Sequence, residues 1–168
     1  MQSNLSIPTG WRAWADGSSL SNPGPAGWAI LVQRPDGTGY TVHGNSGSET
    51  RTNNEAELHA LLKAVKAMPQ DCPAVIYSDS EYSINAATKY RARWEANGMR
   101  GSDGKAVKNS ERIRKLWAAL DERPRVRLEW VKGHDKNEGN HVVDALARGA
   151  AEAAKAGRSI NARVHETL

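Results

Sequence analysis

The sequence predicts an α/β fold in which one mixed sheet carries helices packed against it. Three observations lead there. Residues 11–16, 26–33, 40–43, 74–79 and 126–131 are short apolar runs set between Gly, Pro, Asn and Asp, and they read as strands. Residues 53–68 and 110–120 instead repeat their apolar side chains with a helical period. The order is three strands, a helix, a strand, helices, a strand and a helix, which interleaves the two kinds as an α/β sheet does.

The totals set bounds on this reading. At 168 residues the chain fits one domain, residues 1–168, with a core over about 11–156 and a loose C-terminal tail over 157–168. Cys72 is the only cysteine, so no intramolecular disulfide and no cysteine-ligated zinc site can form. No apolar run is long enough to span a membrane and residues 1–9 lack the pattern of a signal peptide, so the expectation is a cytoplasmic protein without a membrane partner. The formal net charge is +4, but residues 89–115 carry nine Lys and Arg against three acids. Such a run is either a solvated helix face or an electrostatic footprint for a polyanion.

Taken in order, residues 11–16 form a strand that ends on Asp16, followed by the turn-rich Leu20-Ser21-Asn22-Pro23-Gly24-Pro25. Residues 26–33 read as a strand buried on both faces. Arg34-Pro35-Asp36-Gly37 is a turn, 40–43 a third strand, and 44–51 a polar loop. In 53–68, Leu58, Leu61, Leu62, Val65 and Met68 fall within about 120° of a helical wheel, with Thr52 or Asn53 as the cap and Glu57 at the stripe's edge. Residues 74–79 repeat the opening device, an apolar strand that ends on Asp79. A strand reached through a helix is usually parallel to its neighbour. Beside the first strand, it would bring Asp16 and Asp79 to the carboxyl edge of the sheet, where open α/β sheets place their sites. Two short helices at 81–90 and 91–97, a loop at 98–104, a helix at 110–120, a strand at 126–131 and an Ala-rich helix at 140–156 complete the chain.

Asp16, Glu57, Asp79 and Asp144 come from two strand ends and two helix starts, and the topology can gather them in one crevice. Each has an ordinary alternative: Glu57 as a helix-surface residue, Asp79 as a turn former, Asp144 as the i+4 partner of Arg148. Four crowded carboxylates repel unless a cation neutralises them. All-oxygen ligation suits Mg²⁺ or Mn²⁺, and a pair of such ions serves phosphoryl transfer. Hydrolysis of a phosphodiester follows as the expected reaction. His134 lies in a polar loop ten residues before Asp144, where an imidazole could move protons; the other four histidines have no comparable setting.

These residues also carry a resemblance. Asp16-Gly17-Ser18 with Asn22-Pro23-Gly24-Pro25, Thr52-Asn53-Asn54-Glu55-Ala56-Glu57-Leu58, Ser78-Asp79-Ser80, and Val131-Lys132-Gly133-His134 followed by Asn140 and Asp144 resemble, in order, the motifs of type 1 ribonuclease H, the bacterial ribonuclease HI group. The resemblance implies a ribonuclease H-like fold, a five-stranded mixed sheet flanked by helices, and endonucleolytic cleavage of the RNA strand of RNA/DNA hybrids by a monomer using two Mg²⁺ ions, with Mn²⁺ as a substitute. It makes Asp16, Glu57, Asp79 and Asp144 the metal-binding catalytic acids, with Glu57 rather than Glu55 in the catalytic place. His134 matches a loop histidine that assists proton transfer or product release, and Asn140 a polar residue of that loop. Asn22, Asn53 and Asn54 match readers of the hybrid's minor groove, Thr52 a contact to a DNA phosphate, and Ser80 a further substrate contact. Residues 91–109 resemble the basic handle that grips the DNA strand, through Arg91, Arg93, Trp94, Arg100 and Lys105, although Glu95, Ala96, Asn97 and Met99 stand where basic or aromatic residues are frequent and Glu81 replaces a common Gln. A hybrid-binding module without activity, or a related integrase or resolvase, would share the fold but not this whole set of motifs.

Overall fold

The computed structural model describes residues 10–133 and 138–167. Along the chain run β1 (Trp11–Ser19), β2 (Gly24–Gln33), β3 (Gly39–Arg51), α1 (Asn53–Ala67), β4 (Ala74–Ser78), α2 (Glu81–Ala87), α3 (Arg91–Ala96), α4 (Ser110–Asp121), β5 (Val126–Trp130), α5 (Glu138–Lys155) and β6 (Arg163–Thr167). The strands form one mixed sheet in the order β5-β4-β1-β2-β3-β6. β1, β2 and β3 are antiparallel neighbours joined by short turns, whereas β4 and β5, each reached through helices, lie parallel to β1 and to each other.

The alternation of side chains along the strands divides the core. Ala13, Ala15, Ile30, Val32 and Ile76 face Leu58, Leu61 and Val65 of α1 and Ile113, Leu116 and Trp117 of α4. On the opposite face Trp14 and Ala29 pack against Val143 and Ala147 of α5. The capping box at α1 settles its start: the Thr52 side chain accepts from the Glu55 N–H at 3.1 Å, and Glu55 Oε2 accepts from the Thr52 N–H at 2.7 Å.

Four expectations are corrected. β1 does not stop at Asp16 but runs three residues further, because Gly17, Ser18 and Ser19 keep pairing with β2. Residues 44–51 are no loop but the second half of β3. There Ser46 Oγ accepts from the Ala26 N–H at 3.1 Å beside the bulge between Pro25 and Gly27, so side chains satisfy the backbone where the ladder is interrupted. Residues 163–167 are not a loose tail but β6, the sixth strand of a sheet expected to have five. Asn45 draws the chain back: its Oδ1 accepts from the Ile160 N–H at 3.1 Å and its Nδ2 donates to the carbonyls of Ala150 and Arg158. Finally, residues 91–109 are not wholly a surface segment, since Trp94 and Met99 are buried in the main core. Met99 sits at φ 63°, a left-handed turn that ends α3, and its N–H donates to the Trp94 carbonyl at 2.7 Å.

Candidate active site

The parallel pairing of β1 with β4 ends at Ala15 opposite Ser78, so Asp16 and Asp79 are the next residues on adjacent strands. Both side chains fall on the α5 face, by the alternation that turns Ala15 and Ser78 the other way. Glu57 arrives from the opposite layer, and Gly17 is what lets it. A Cβ at Gly17 would lie 2.3 Å from the Ala56 carbonyl carbon and 2.4 Å from the Glu57 nitrogen, so only a glycine allows α1 to seat its first turn directly on β1. A glycine inside a strand signals such a close approach, and Gly17 could have been singled out on that ground. The outcome is a cluster in which one carboxylate oxygen each of Asp16, Glu57 and Asp79 lies within 4.8 Å of the others.

Three carboxylates at that range cannot all be ionised in a largely buried pocket. Burial, reinforced by the neighbouring Asp79 carboxylate, pushes Asp16 up to about 8. Glu57 is raised well above the ordinary range, again by burial first and then by Asp16 and Asp79. Asp79 is raised by burial, opposed by hydrogen bonds from Asp16 and from the Asn140 side chain. Asp16 is 3 % exposed, and Glu57 Oε2 is buried with no hydrogen-bond partner. A buried, unpaired carboxylate oxygen aimed into a group of acids is the donor a hard cation uses, and the all-oxygen set fits Mg²⁺ or Mn²⁺.

Asp144 stands at the edge of this group. It lies in the second turn of α5 and pairs with Arg148 at 3.7 Å, yet its charge reaches the cluster and helps to raise both Asp16 and Asp79. Gly139 sets the approach of α5: a Cβ there would meet the Trp14 indole at 2.3 Å, so the helix start rests on that ring. Asn140, next in sequence, is 2 % exposed. A second position the sequence reading missed is Trp130 at the end of β5. Its indole N–H donates to the Asp79 carbonyl at 3.1 Å and holds the backbone that carries the acid. No pattern in the sequence marks this contact, because it joins residues 51 apart. His134 lies outside the described residues.

The residues matched to substrate contacts divide in two. Asn22, Asn53 and Asn54 are exposed beside the start of α1, and Thr52 is half-buried as its cap. The Asn53 N–H donates to Asn22 Oδ1 at 3.0 Å and Asn53 Oδ1 accepts from the Ser19 N–H at 3.0 Å, which ties the three segments into one platform a few residues from Glu57. Arg93, Arg100 and Lys105 are exposed. Ser80, by contrast, caps α2, its Oγ accepting from the Ser83 N–H at 3.1 Å. Trp94 presents no free face, at 9 % exposure and with its ring tilted against Tyr90, centroids 5.2 Å apart. Arg91 is bound twice over: its guanidinium makes two 2.7 Å contacts to Asp121 and one to Glu95, and lies over the Trp117 ring. It locks α3 to the end of α4.

Comparison with known proteins agrees with this geometry. The family model described as RNase H matches residues 9–152. A ribonuclease H of Bordetella bronchiseptica is 41% identical over 145 residues, covering 84% of this chain and 89% of the relative. A ribonuclease HI of Pasteurella multocida is 36% identical over 145 residues, covering 83% and 88%. Among solved structures, LC9-RNase H1, a type 1 RNase H with the type 2 active-site motif, superposes with a TM-score of 0.72 at 25% identity, over 92% of this chain and 79% of that one. The carboxylate cluster at the parallel strand ends and a match along most of its length place the chain in the RNase H family, in the bacterial ribonuclease HI group.

Proposed function

We infer that the reaction of this ribonuclease H, endonucleolytic hydrolysis of the RNA strand of an RNA/DNA hybrid, runs through two Mg²⁺ ions held among Asp16, Glu57, Asp79 and Asp144. The observation that carries the reading is the cluster of three carboxylates within 4.8 Å that includes a buried, unpartnered Glu57 oxygen. Held there, divalent ions would supply positive charge to offset the negative charge that develops on the attacking and leaving oxygens of the phosphodiester. Burial and crowding favour the neutral form of Asp16 and Glu57, and the charge of a bound divalent ion would favour the ionised form of both. Gly17 and Trp130 keep the carboxylates in register, Gly17 by admitting α1 and Trp130 by holding the Asp79 carbonyl. Asp144, whose charge reaches Asp16 and Asp79, would supply the fourth carboxylate, and Asn140 orients Asp79 through its side-chain hydrogen bond. His134 serves as the proton carrier toward the leaving oxygen.

The hybrid lies across the start of α1. The Thr52 hydroxyl and the Asn54 N–H, at the positive end of α1, face a phosphate of the DNA strand. Asn22, Asn53 and Asn54 offer amides that both donate and accept, which suits base edges and the 2′-hydroxyls that distinguish RNA from DNA. Arg93, Arg100 and Lys105 reach the backbone further along, and Arg91 acts as the brace that holds them in place. The chain acts as a cytoplasmic monomer and a single catalytic unit. The test is cleavage of labelled RNA/DNA hybrid, duplex RNA, duplex DNA and single-stranded RNA with Mg²⁺, with Mn²⁺ and with EDTA. Cleavage confined to the hybrid, supported by Mg²⁺ and lost with EDTA, is the expected result. Activity that persists in EDTA, or cleavage of duplex DNA at a comparable rate, overturns the reading.

A further inference from the structure

α1 and α4 pack side by side on the face of the sheet away from α5, and the seam between them opens into two adjoining cavities. The larger, of ≈ 350 Å³, is lined by His59, Lys63 and Lys66 of α1 and by Glu111, Arg112 and Lys115 of α4. The smaller, of ≈ 220 Å³, continues past His59 and Arg112 to Trp28, with Arg51, Glu49 and Glu55 also lining it. Positions 59, 63 and 66 share one face of α1, and 112 and 115 one face of α4, so the cations line the walls of a single groove.

The acids present do not neutralise these cations. Glu111 pairs with Lys115 at 3.4 Å, Glu49 pairs with Arg51, and one oxygen of Glu55 is spent on the Thr52 N–H. Lys63, Lys66 and Arg112 are left with no carboxylate partner among the described residues. His59 sits in their midst, edge-on to Trp28 with ring centroids 5.2 Å apart. A stable fold gains nothing from gathering these like charges along one groove, whereas an anion seated between them would turn repulsion into attraction.

We propose that the groove between α1 and α4 is a binding site for a phosphate-bearing anion, with phosphoryl oxygens seated between Lys63, Lys66 and Arg112 and the His59 N–H as a further donor. Its location is separate from the carboxylate cluster, so the proposal stands whether or not the metal assignment does. Two sources carry this chemistry: the backbone of a nucleic-acid strand that continues past Arg51, the neighbour of Thr52, or a free polyphosphate.

The full chain in EDTA separates them by calorimetry with inorganic triphosphate and with a 12-base-pair RNA/DNA hybrid. The triple variant Lys63→Gln, Lys66→Gln, Arg112→Gln, with folding checked by circular dichroism, should bind the ligand of the groove about tenfold more weakly or worse. A loss for triphosphate assigns the site to a free anion, and a loss for the hybrid alone assigns it to the backbone; either supports the proposal. The single variant Lys63→Gln, at an exposed helix position, gives a smaller loss and serves if the triple variant does not fold. Binding of both ligands undiminished in the variants, or hybrid binding undiminished with no triphosphate bound at millimolar concentration, overturns the proposal.

Discussion

Replacing Asp16 by Asn should make the metal-free protein more stable while removing its activity. The magnitude follows from the carboxyl group itself. In the unfolded chain Asp16 ionises near 3.8, but in the folded protein burial and the Asp79 carboxylate hold it protonated up to about 8. Between those values the unfolded state binds fewer protons, so stability falls as pH rises, by at most about 1.4 kcal/mol for each pH unit. From 3.8 to 7 the loss is roughly 4 kcal/mol as an upper bound, because Glu57 and Asp79 share protons with Asp16 and take up part of the change. Asn keeps the shape and carries no charge in either state, so it escapes the loss. Urea unfolding in EDTA should therefore show the variant more stable than the parent by about 2–4 kcal/mol at pH 7, with the difference shrinking to near zero by pH 4. Added Mg²⁺ should reverse the order by stabilising the parent through its ionised carboxylates and the variant far less. Hybrid cleavage by the variant should be lost. A variant no more stable than the parent at pH 7, or a gain equally large at pH 4, would refute the picture of a cluster held protonated by its neighbours.

Four further outcomes are expected. Glu57→Gln should abolish Mg²⁺-dependent cleavage, whereas Glu55→Ala, which breaks the capping box, should leave kcat near the parent value and cost about 0.5–2 kcal/mol of stability in urea. Arg91→Ala, which cuts the ties to Asp121 and Glu95, should lower the melting temperature, while Arg93→Ala, Arg100→Ala and Lys105→Ala combined should raise KM and flatten its salt dependence without a comparable loss of stability. Gly139→Ala sets a methyl against the Trp14 ring and should displace the start of α5, read as weaker Mg²⁺ binding by calorimetry together with reduced cleavage; unaltered calorimetry would show that α5 can yield there at no cost. His134→Ala should slow cleavage by about 10²-fold, as expected of a proton carrier that water can partly replace, and a loss as complete as that of Glu57→Gln would give it a different role.

The sequence alone determined the elements that depend on local chemistry. Periodicity marked α1 and α4, Thr52 or Asn53 as a capping residue marked the start of α1, and the two apolar runs ending on Asp16 and Asp79 marked a shared sheet edge, because a helical crossover between them leaves little choice of pairing. The motif resemblance supplied the choice of Glu57 over Glu55; in the structure Glu57 lies beside Asp16 and Asp79, and Glu55 caps the helix. What local signals could not reach were contacts between distant segments. Arg91 and Trp94 read as surface residues because nothing near them in sequence reveals Asp121 or the core behind α3. The polar stretch before Arg51 read as a loop, since side chains rather than an apolar pattern hold it in the sheet. The C-terminal residues looked unpatterned because an edge strand needs few buried side chains; β6 is held by backbone pairing, by Asn45 from within β3 and by the Arg34 to Glu166 ion pair. The closeness of the three carboxylates was likewise decided only in three dimensions. A list of acids does not say whether their charges will meet; a glycine in β1 that lets a helix touch it does, by forcing Glu57 against Asp16.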